Sequence, residues 1–167
     1  MSQAAIDAVC GYLEEKGVPY ELFRHEPVFT CEESHEKVNI ENCCACKNLF
    51  VKDVKSGLFY LIVLRWDKHA DLKQLCGFVG ARRFAFASEE ELDKKLGVSY
   101  GFVSPFGLLN DASGKTRFMV DEDVLSAERV KFHPNDNTAS IVMTHDAFMA
   151  YVDSLGKNII KVRTDVF

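Results

Sequence analysis

The chain has no apolar run long enough to cross a bilayer. The longest, Leu58 to Leu64, has seven residues, against the roughly 20 that a membrane helix needs. Its first residues, Met1-Ser2-Gln3-Ala4-Ala5-Ile6-Asp7, lack the basic start and apolar stretch of a secretory leader, so the protein reads as cytoplasmic, with no membrane partner. A positive balance is missing too. A formal net charge of -5 argues against a protein that grips nucleic acid along an extended basic face. It leaves room for a local cationic rim around one flexible RNA end. Lys47, Lys52, Lys55, Arg65, Lys68, Lys73, Arg82 and Arg83 are the candidates for such a rim, with ordinary solvated charge as the plainer reading of each.

Several chemical signatures are also absent. There is no His-x-x-x-His, no Walker loop and no Gly-x-Gly-x-x-Gly. Of six cysteines, Cys43, Cys44 and Cys46 crowd together. Cys43 and Cys46 make a single Cys-x-x-Cys pair, not the two such pairs of a structural zinc site, and nothing in the spacing demands His35 as a further ligand. No metal and no cofactor is expected. In a reducing compartment such thiols fill a core or a pocket wall. An ester hydrolase built here would rely on positioning and electrostatics, since no base is placed to activate Ser104.

What the chain does have is the material for one domain, 1–167. Its length of 167 residues, 47% hydrophobic and 27% charged, suits a single core. Ile6, Val9, Cys10 and Leu13 fall on one helical face, stopped by Gly17 and Pro19. Tyr20 to Arg24 predicts a strand. Thr30-Cys31-Glu32-Glu33 and Ser88-Glu89-Glu90-Glu91 predict helix starts, toward Val38 and Leu96, by the capping-box pattern. Asn48 to Asp53 and Leu58 to Arg65 predict a hairpin around Lys55-Ser56-Gly57, its second strand covered on both faces. Further helices are expected at Asp71 to Phe78 and Asp146 to Leu155, the latter capped by His145-Asp146, with a polar helical turn at Asp123 to Arg129. Strands are expected at Arg83 to Ala87, Thr116 to Asp121, Thr138 to Thr144 and Asn158 to Arg163. This irregular alternation predicts an α+β fold with a mixed, mostly antiparallel sheet flanked by helices.

Three segments stand out as places for chemistry. Lys47-Asn48, placed at a loop-to-strand junction, offers a compact cation and an amide that both donates and accepts; a lysine pointing into solvent fits the same pattern. Gly101-Phe102-Val103-Ser104-Pro105-Phe106-Gly107 is a loop whose glycines permit positive φ and whose backbone N–H groups could bind an anion; an ordinary structural turn fits it equally. His133-Pro134-Asn135-Asp136-Asn137 puts an imidazole in a tight turn that Asp136 and Asn137 are expected to brace.

Together these segments resemble the editing domains related to the prolyl-tRNA synthetase insertion domain, the YbaK-like superfamily. The match is nearest to the branch that deacylates alanyl-tRNA(Pro). The resemblance implies a trans-acting deacylase without a metal requirement, acting on the acceptor end of tRNA(Pro), with prolyl-tRNA synthetase as a candidate partner. It implies catalytic roles for Lys47 and Asn48. It implies substrate binding by Gly101, Phe102, Val103, Ser104, Pro105, Phe106, His133 and Asn135. Removal of cysteine or serine instead of alanine stays open, as do a non-catalytic binder of tRNA or synthetase and an unrelated thiol enzyme using Cys43 to Cys46.

Overall fold

The computed structural model describes residues 2–164. The chain begins with helix α1 (Ser2–Glu15), strand β1 (Glu21–Arg24) and helix α2 (Cys31–Lys37), then the hairpin β2 (Cys44–Asp53) and β3 (Phe59–Arg65). Helix α3 (Leu72–Gly77), strand β4 (Phe84–Phe86), helix α4 (Glu89–Leu96) and a 3-10 helix (Pro105–Asn110) follow. The rest is β5 (Arg117–Asp121), α5 (Glu122–Leu125), β6 (Arg129–Phe132), β7 (Ala139–Thr144), α6 (His145–Ser154) and β8 (Ile159–Val162). The strands join in one 8-stranded mixed sheet of order β1-β7-β6-β2-β3-β5-β8, with β4 added beside β2. No helix among the described residues is long and apolar enough to cross a membrane.

The α+β expectation holds, and β3 explains why. Its alternate residues feed two separate cores. Leu61 and Val63 pack with α1, α4 and α6, while Tyr60, Ile62 and Leu64 pack with Leu75 and Phe84. Burial of this kind contributes about 1.5–3 kcal/mol per large side chain, which fixes the sheet between its helical covers. The helix starts are equally local in origin. Ser88 and Glu91 make both halves of a capping box, and Gly97 ends α4 at φ 65°. At α2, Thr30 accepts from the Glu33 N–H, but the Glu33 carboxylate reaches back to the Phe29 N–H.

Three local expectations are corrected. The cap of α6 is Thr144, whose side chain accepts from the Ala147 N–H, and His145 and Asp146 are already helical. The segment after the polar turn contains a further strand, β6, hidden because its Lys131 is buried. Lys131 donates to the carbonyls of Ser34 and Val38 at 3.1 and 2.6 Å, closing the C-terminal end of α2. Lastly, Lys47 and Asn48 lie inside β2 and not at its mouth, because the cysteine-rich approach is itself strand.

That last correction positions the site. One edge of β2 pairs with β3 from Cys46 to Lys52. On its other edge, β6 pairs in parallel at Cys44 and Ala45, and β4 pairs at Val51 to Asp53. Between those contacts the sheet splits. The stretch from Cys46 to Phe50 has no ladder partner on that edge.

Candidate active site

A cavity of about 410 Å³ opens at this split, within the size range of small-molecule sites. Its walls come from Cys46 to Phe50 of β2, Val28 to Thr30 ahead of α2 with Cys31 at its start, and the end of β4. Leu92 of α4, the turn at Tyr100 and Gly101, Val103 and His133 complete it. The histidine turn holds two of these walls in place. Asn137 donates from Nδ2 to the Val28 carbonyl at 3.0 Å, and Asp136 Oδ1 accepts from the Thr138 N–H at 2.9 Å. The bracing expected of Asp136 and Asn137 is therefore present, and it reaches across the fold.

Among the described residues, two buried side-chain polar atoms lack a hydrogen-bond partner: Asn48 Oδ1 and His133 Nδ1. Both residues line this cavity. An unpaired buried polar atom costs about 1–3 kcal/mol, so two in one cavity mark it as built for a ligand. Lys47 lines it as well and makes no ion pair among the described residues. The other expected rim cations are differently employed where the structure pairs them. Lys52 is held by Glu91, while Arg65 and Lys68 are drawn into a carboxylate network with Asp67, Asp121 and Asp123.

Burial pushes the His133 imidazole from 6.5 down to about 4, with His25 and Lys131 adding to the shift. At neutral pH the ring is an uncharged hydrogen-bonding group. Its effect on stability has a definite sign. Between pH 6.5 and 4 the unfolded chain binds a proton there that the native state refuses, so stability falls as pH drops through that window. The loss is of order 3 kcal/mol. A His133→Gln variant should show a flatter stability profile between those pH values in urea titrations. An unchanged slope would contradict the assignment.

The loop after α4 is rigid for identifiable reasons. Gly101 takes φ 91°, a conformation that side chains resist. Gly107 serves differently from expectation: a β-carbon there would stand 3.1 Å from Leu96 Cβ, so its role is close packing of the 3-10 helix on α4. The Pro105 carbonyl accepts from the Tyr151 hydroxyl at 2.8 Å. Within the loop, the N–H groups of Tyr100, Phe102, Phe106 and Gly107 are taken up by protein acceptors. Those of the cavity residues Gly101 and Val103 have no such acceptor among the described residues.

Of the residues singled out from sequence, the cavity brings together Lys47, Asn48, Gly101, Val103 and His133. The remaining five sit behind it. Phe106 and Pro105 are buried, Phe106 against Phe132 and Tyr151, and Phe102 packs on the same core. Ser104 is fully buried, accepts from the Phe106 N–H and donates to Asn135 Oδ1 at 2.9 Å. Asn135, at φ 60°, thus ties the histidine turn to the glycine loop. Phe29, Phe86, Leu92 and Tyr100 line the cavity and were not anticipated. The signal available for two of them was an aromatic one or two residues ahead of a capping residue, Phe29 before Thr30 and Phe86 before Ala87-Ser88.

A family model described as the aminoacyl-tRNA editing domain matches residues 25–151. The chain belongs to that family. This editing domain is 39% identical over 157 residues to the prolyl-tRNA editing protein ProX of Acetoanaerobium sticklandii, covering 93% of this chain and 95% of that one. It is 32% identical to prolyl-tRNA synthetase associated domain-containing protein 1 of Xenopus laevis, covering 92% and 94%. A crystal structure of a proposed trans-editing enzyme for prolyl tRNA synthetase superposes with a TM-score of 0.76 at 22% identity, over 96% of this chain and 97% of that one. At that identity the likeness speaks for the fold. The chain is accordingly an aminoacyl-tRNA deacylase, a hydrolase of the editing class.

Cys31, Cys43 and Cys46 of this editing domain are poorly suited to nucleophilic attack; Cys44, whose thiol is pulled down by its hydrogen bond with Cys46, does not line the cavity. Cys46 and Cys31 line the cavity, and burial pushes both thiols up, in Cys31 against the pull of Lys47. Cys43 is pushed by burial to about 11. Thiolate, not thiol, is the reactive form. Among the described residues no group of three His, Cys, Asp or Glu side chains is placed to hold a metal ion. His35, the remaining candidate ligand, stacks on Trp66 at 4.1 Å.

Proposed function

We propose that this editing domain acts in trans on mischarged tRNA(Pro), hydrolysing the ester that joins alanine to the terminal ribose. The observation that carries the reading is the convergence of Lys47, Asn48 and His133 on one cavity, with Asn48 Oδ1 and His133 Nδ1 unpaired and Lys47 without an ion pair among the described residues. A synthetase pocket shaped for proline cannot strongly reject a smaller apolar amino acid, so a second, sterically stricter site is needed. The apolar walls, Leu49, Phe50, Leu92 and Val103, supply that strictness: they admit a methyl side chain and refuse the proline ring.

In this mechanism the N–H groups of Gly101 and Val103 polarise the ester carbonyl, stabilising the oxyanion that develops when water attacks. Lys47 anchors an ester or phosphate oxygen. Asn48 Oδ1 accepts a hydrogen bond from the hydrolytic water and orients it. His133, neutral at working pH, hydrogen-bonds the terminal nucleotide. Water supplies the nucleophile and the proton for the leaving ribose hydroxyl, so the products are free alanine and intact tRNA. Ser104 and Asn135 act as positioning residues, holding the loop against the histidine turn. The whole, residues 1–167, is one editing domain working in the cytoplasm with prolyl-tRNA synthetase as the source of its substrate.

Since Ser104 positions and does not attack, Ser104→Ala should lower stability by about 1–2 kcal/mol and leave deacylation within roughly tenfold of the parent. Loss to the uncatalysed rate in single-turnover assays, with the fold retained, would make the hydroxyl a nucleophile. The function itself is tested by a deacylation panel of alanine, cysteine, serine and proline on tRNA(Pro), with alanine on tRNA(Ala). Alanyl-tRNA(Pro) should be cleared fastest and prolyl-tRNA(Pro) spared. Faster release of serine or cysteine would move the specificity, and protection of every ester without release would leave only a binding module.

A further inference from the structure

Five large apolar side chains are strongly exposed among the described residues, and three of them line this one cavity: Phe29 at 78%, Phe86 at 59% and Tyr100 at 77%. Being both wall and surface, they form its rim. They come from three unconnected places, the segment before α2, the end of β4 and the turn after α4. Each is anchored through its backbone. The Phe29 N–H donates to the Glu33 carboxylate at 2.9 Å, the Tyr100 N–H donates to the Glu89 carboxylate at 3.1 Å, and Phe86 is paired with Val51 of β2. The backbone anchors are fixed while the rings themselves stay in water. Single exposed apolar residues need no explanation, but three exposed aromatic rings around one cavity that also carries Lys47, Asn48 and His133 do.

We propose that Phe29, Phe86 and Tyr100 are a stacking platform for the unpaired bases at the 3′ end of the RNA, delivering the esterified terminal ribose into the cavity. The proposal rests on the deacylase reading and assigns the surface that holds its substrate. Three features favour RNA over a protein partner. Among the described residues no ring-to-ring contact joins any two of them, though all three line one concavity. The same cavity is lined by Lys47, Asn48 and His133, a cation and two polar side chains of kinds suited to ribose and phosphate. A chain of net charge -5 also offers RNA phosphates no extended basic face, only a local cationic rim. Stacking on aromatic side chains is largely indifferent to charge and to base identity. It supplies grip without an extended basic face.

The test uses a short RNA ending in C-C-2-aminopurine, which carries no ester and so reports binding whether or not the protein hydrolyses anything. The parent protein should quench the 2-aminopurine fluorescence as the base stacks. Phe29→Ala, Phe86→Ala and Tyr100→Ala should each weaken binding roughly tenfold, the loss of one stack. Leucine at the same positions should fail to restore it, and the affinity should fall only shallowly with salt. Unchanged thermal unfolding midpoints will show that these exposed substitutions leave the fold intact. RNA binding untouched by all three alanine variants would assign the rings to a protein surface and overturn the proposal, as would full rescue by leucine or no quenching by the parent. A protein that quenches but fails to deacylate would sink the enzymatic reading and leave the platform standing.

Discussion

Lys47→Ala should lower kcat/KM for deacylation by about 10²–10³-fold, the usual consequence of removing one preorganised electrostatic group from an acyl-transfer site. The expectation follows from what Lys47 does not do. It lies within β2, lines the cavity and has no carboxylate partner among the described residues, so no counter-charge there neutralises it. The same fact predicts an intact variant: no ion pair is lost, and stability should shift by less than about 0.5 kcal/mol. The kinetic split separates two roles. An anchor on the ester oxygen acts in the transition state and its loss lowers kcat, whereas an anchor on a phosphate contributes uniform binding and its loss raises KM. Near-parental kcat/KM in Lys47→Ala would remove this residue from the mechanism.

Asp121→Ala should have the largest effect on stability, about 3–5 kcal/mol out of the 5–15 kcal/mol typical of a whole domain. Asp121 is fully buried and takes on three donors. Its Oδ1 accepts from Lys68 Nζ at 3.0 Å and the Asp123 N–H at 3.1 Å, and its Oδ2 accepts from the Arg65 N–H at 3.1 Å. Burial alone would lower the Lys68 ammonium, but its bonds to Asp123 and Asp121 outweigh this and hold it above its usual value. Removing Asp121 leaves that ammonium buried beside one half-exposed partner, Asp123. It also strips two backbone N–H groups where β3 meets α5. Urea unfolding of the variant checks this; a cost below about 1 kcal/mol would mean that water or Asp123 compensates.

Where short-range chemistry decides a feature, the sequence shows it. Ser88 with Glu91 and Gly97 bound α4 on both sides, and the apolar run of β3 announces burial on both faces. The cavity is different, because it exists where β2 changes partners. The parallel pairing of Cys44 and Ala45 with β6 cannot be read from a cysteine cluster, and β6 itself is masked by Lys131, a lysine buried because two helix-terminal carbonyls solvate it. Lys47, Asn48, Gly101 and His133 were recoverable because a family resemblance named them, while spacing alone left each ambiguous. Phe29, Phe86 and Tyr100 are scattered over 72 positions of the chain and acquire meaning only when folding gathers them at one mouth. Ser104 and Asn135 illustrate the converse. Both belong to the right segments, yet their mutual hydrogen bond makes them the joint between two walls.

The most direct measurement is a crystal structure with an adenosine carrying alanine through a 3′-amide in place of the ester, which resists hydrolysis. The account predicts the amide carbonyl oxygen within hydrogen-bonding distance of the Gly101 or Val103 N–H, the methyl group against Leu49 or Leu92, and the nucleoside beside His133. Binding of the analogue elsewhere, for example in the more open groove between Asn42, Arg129 and His145, with this cavity left empty, would contradict it.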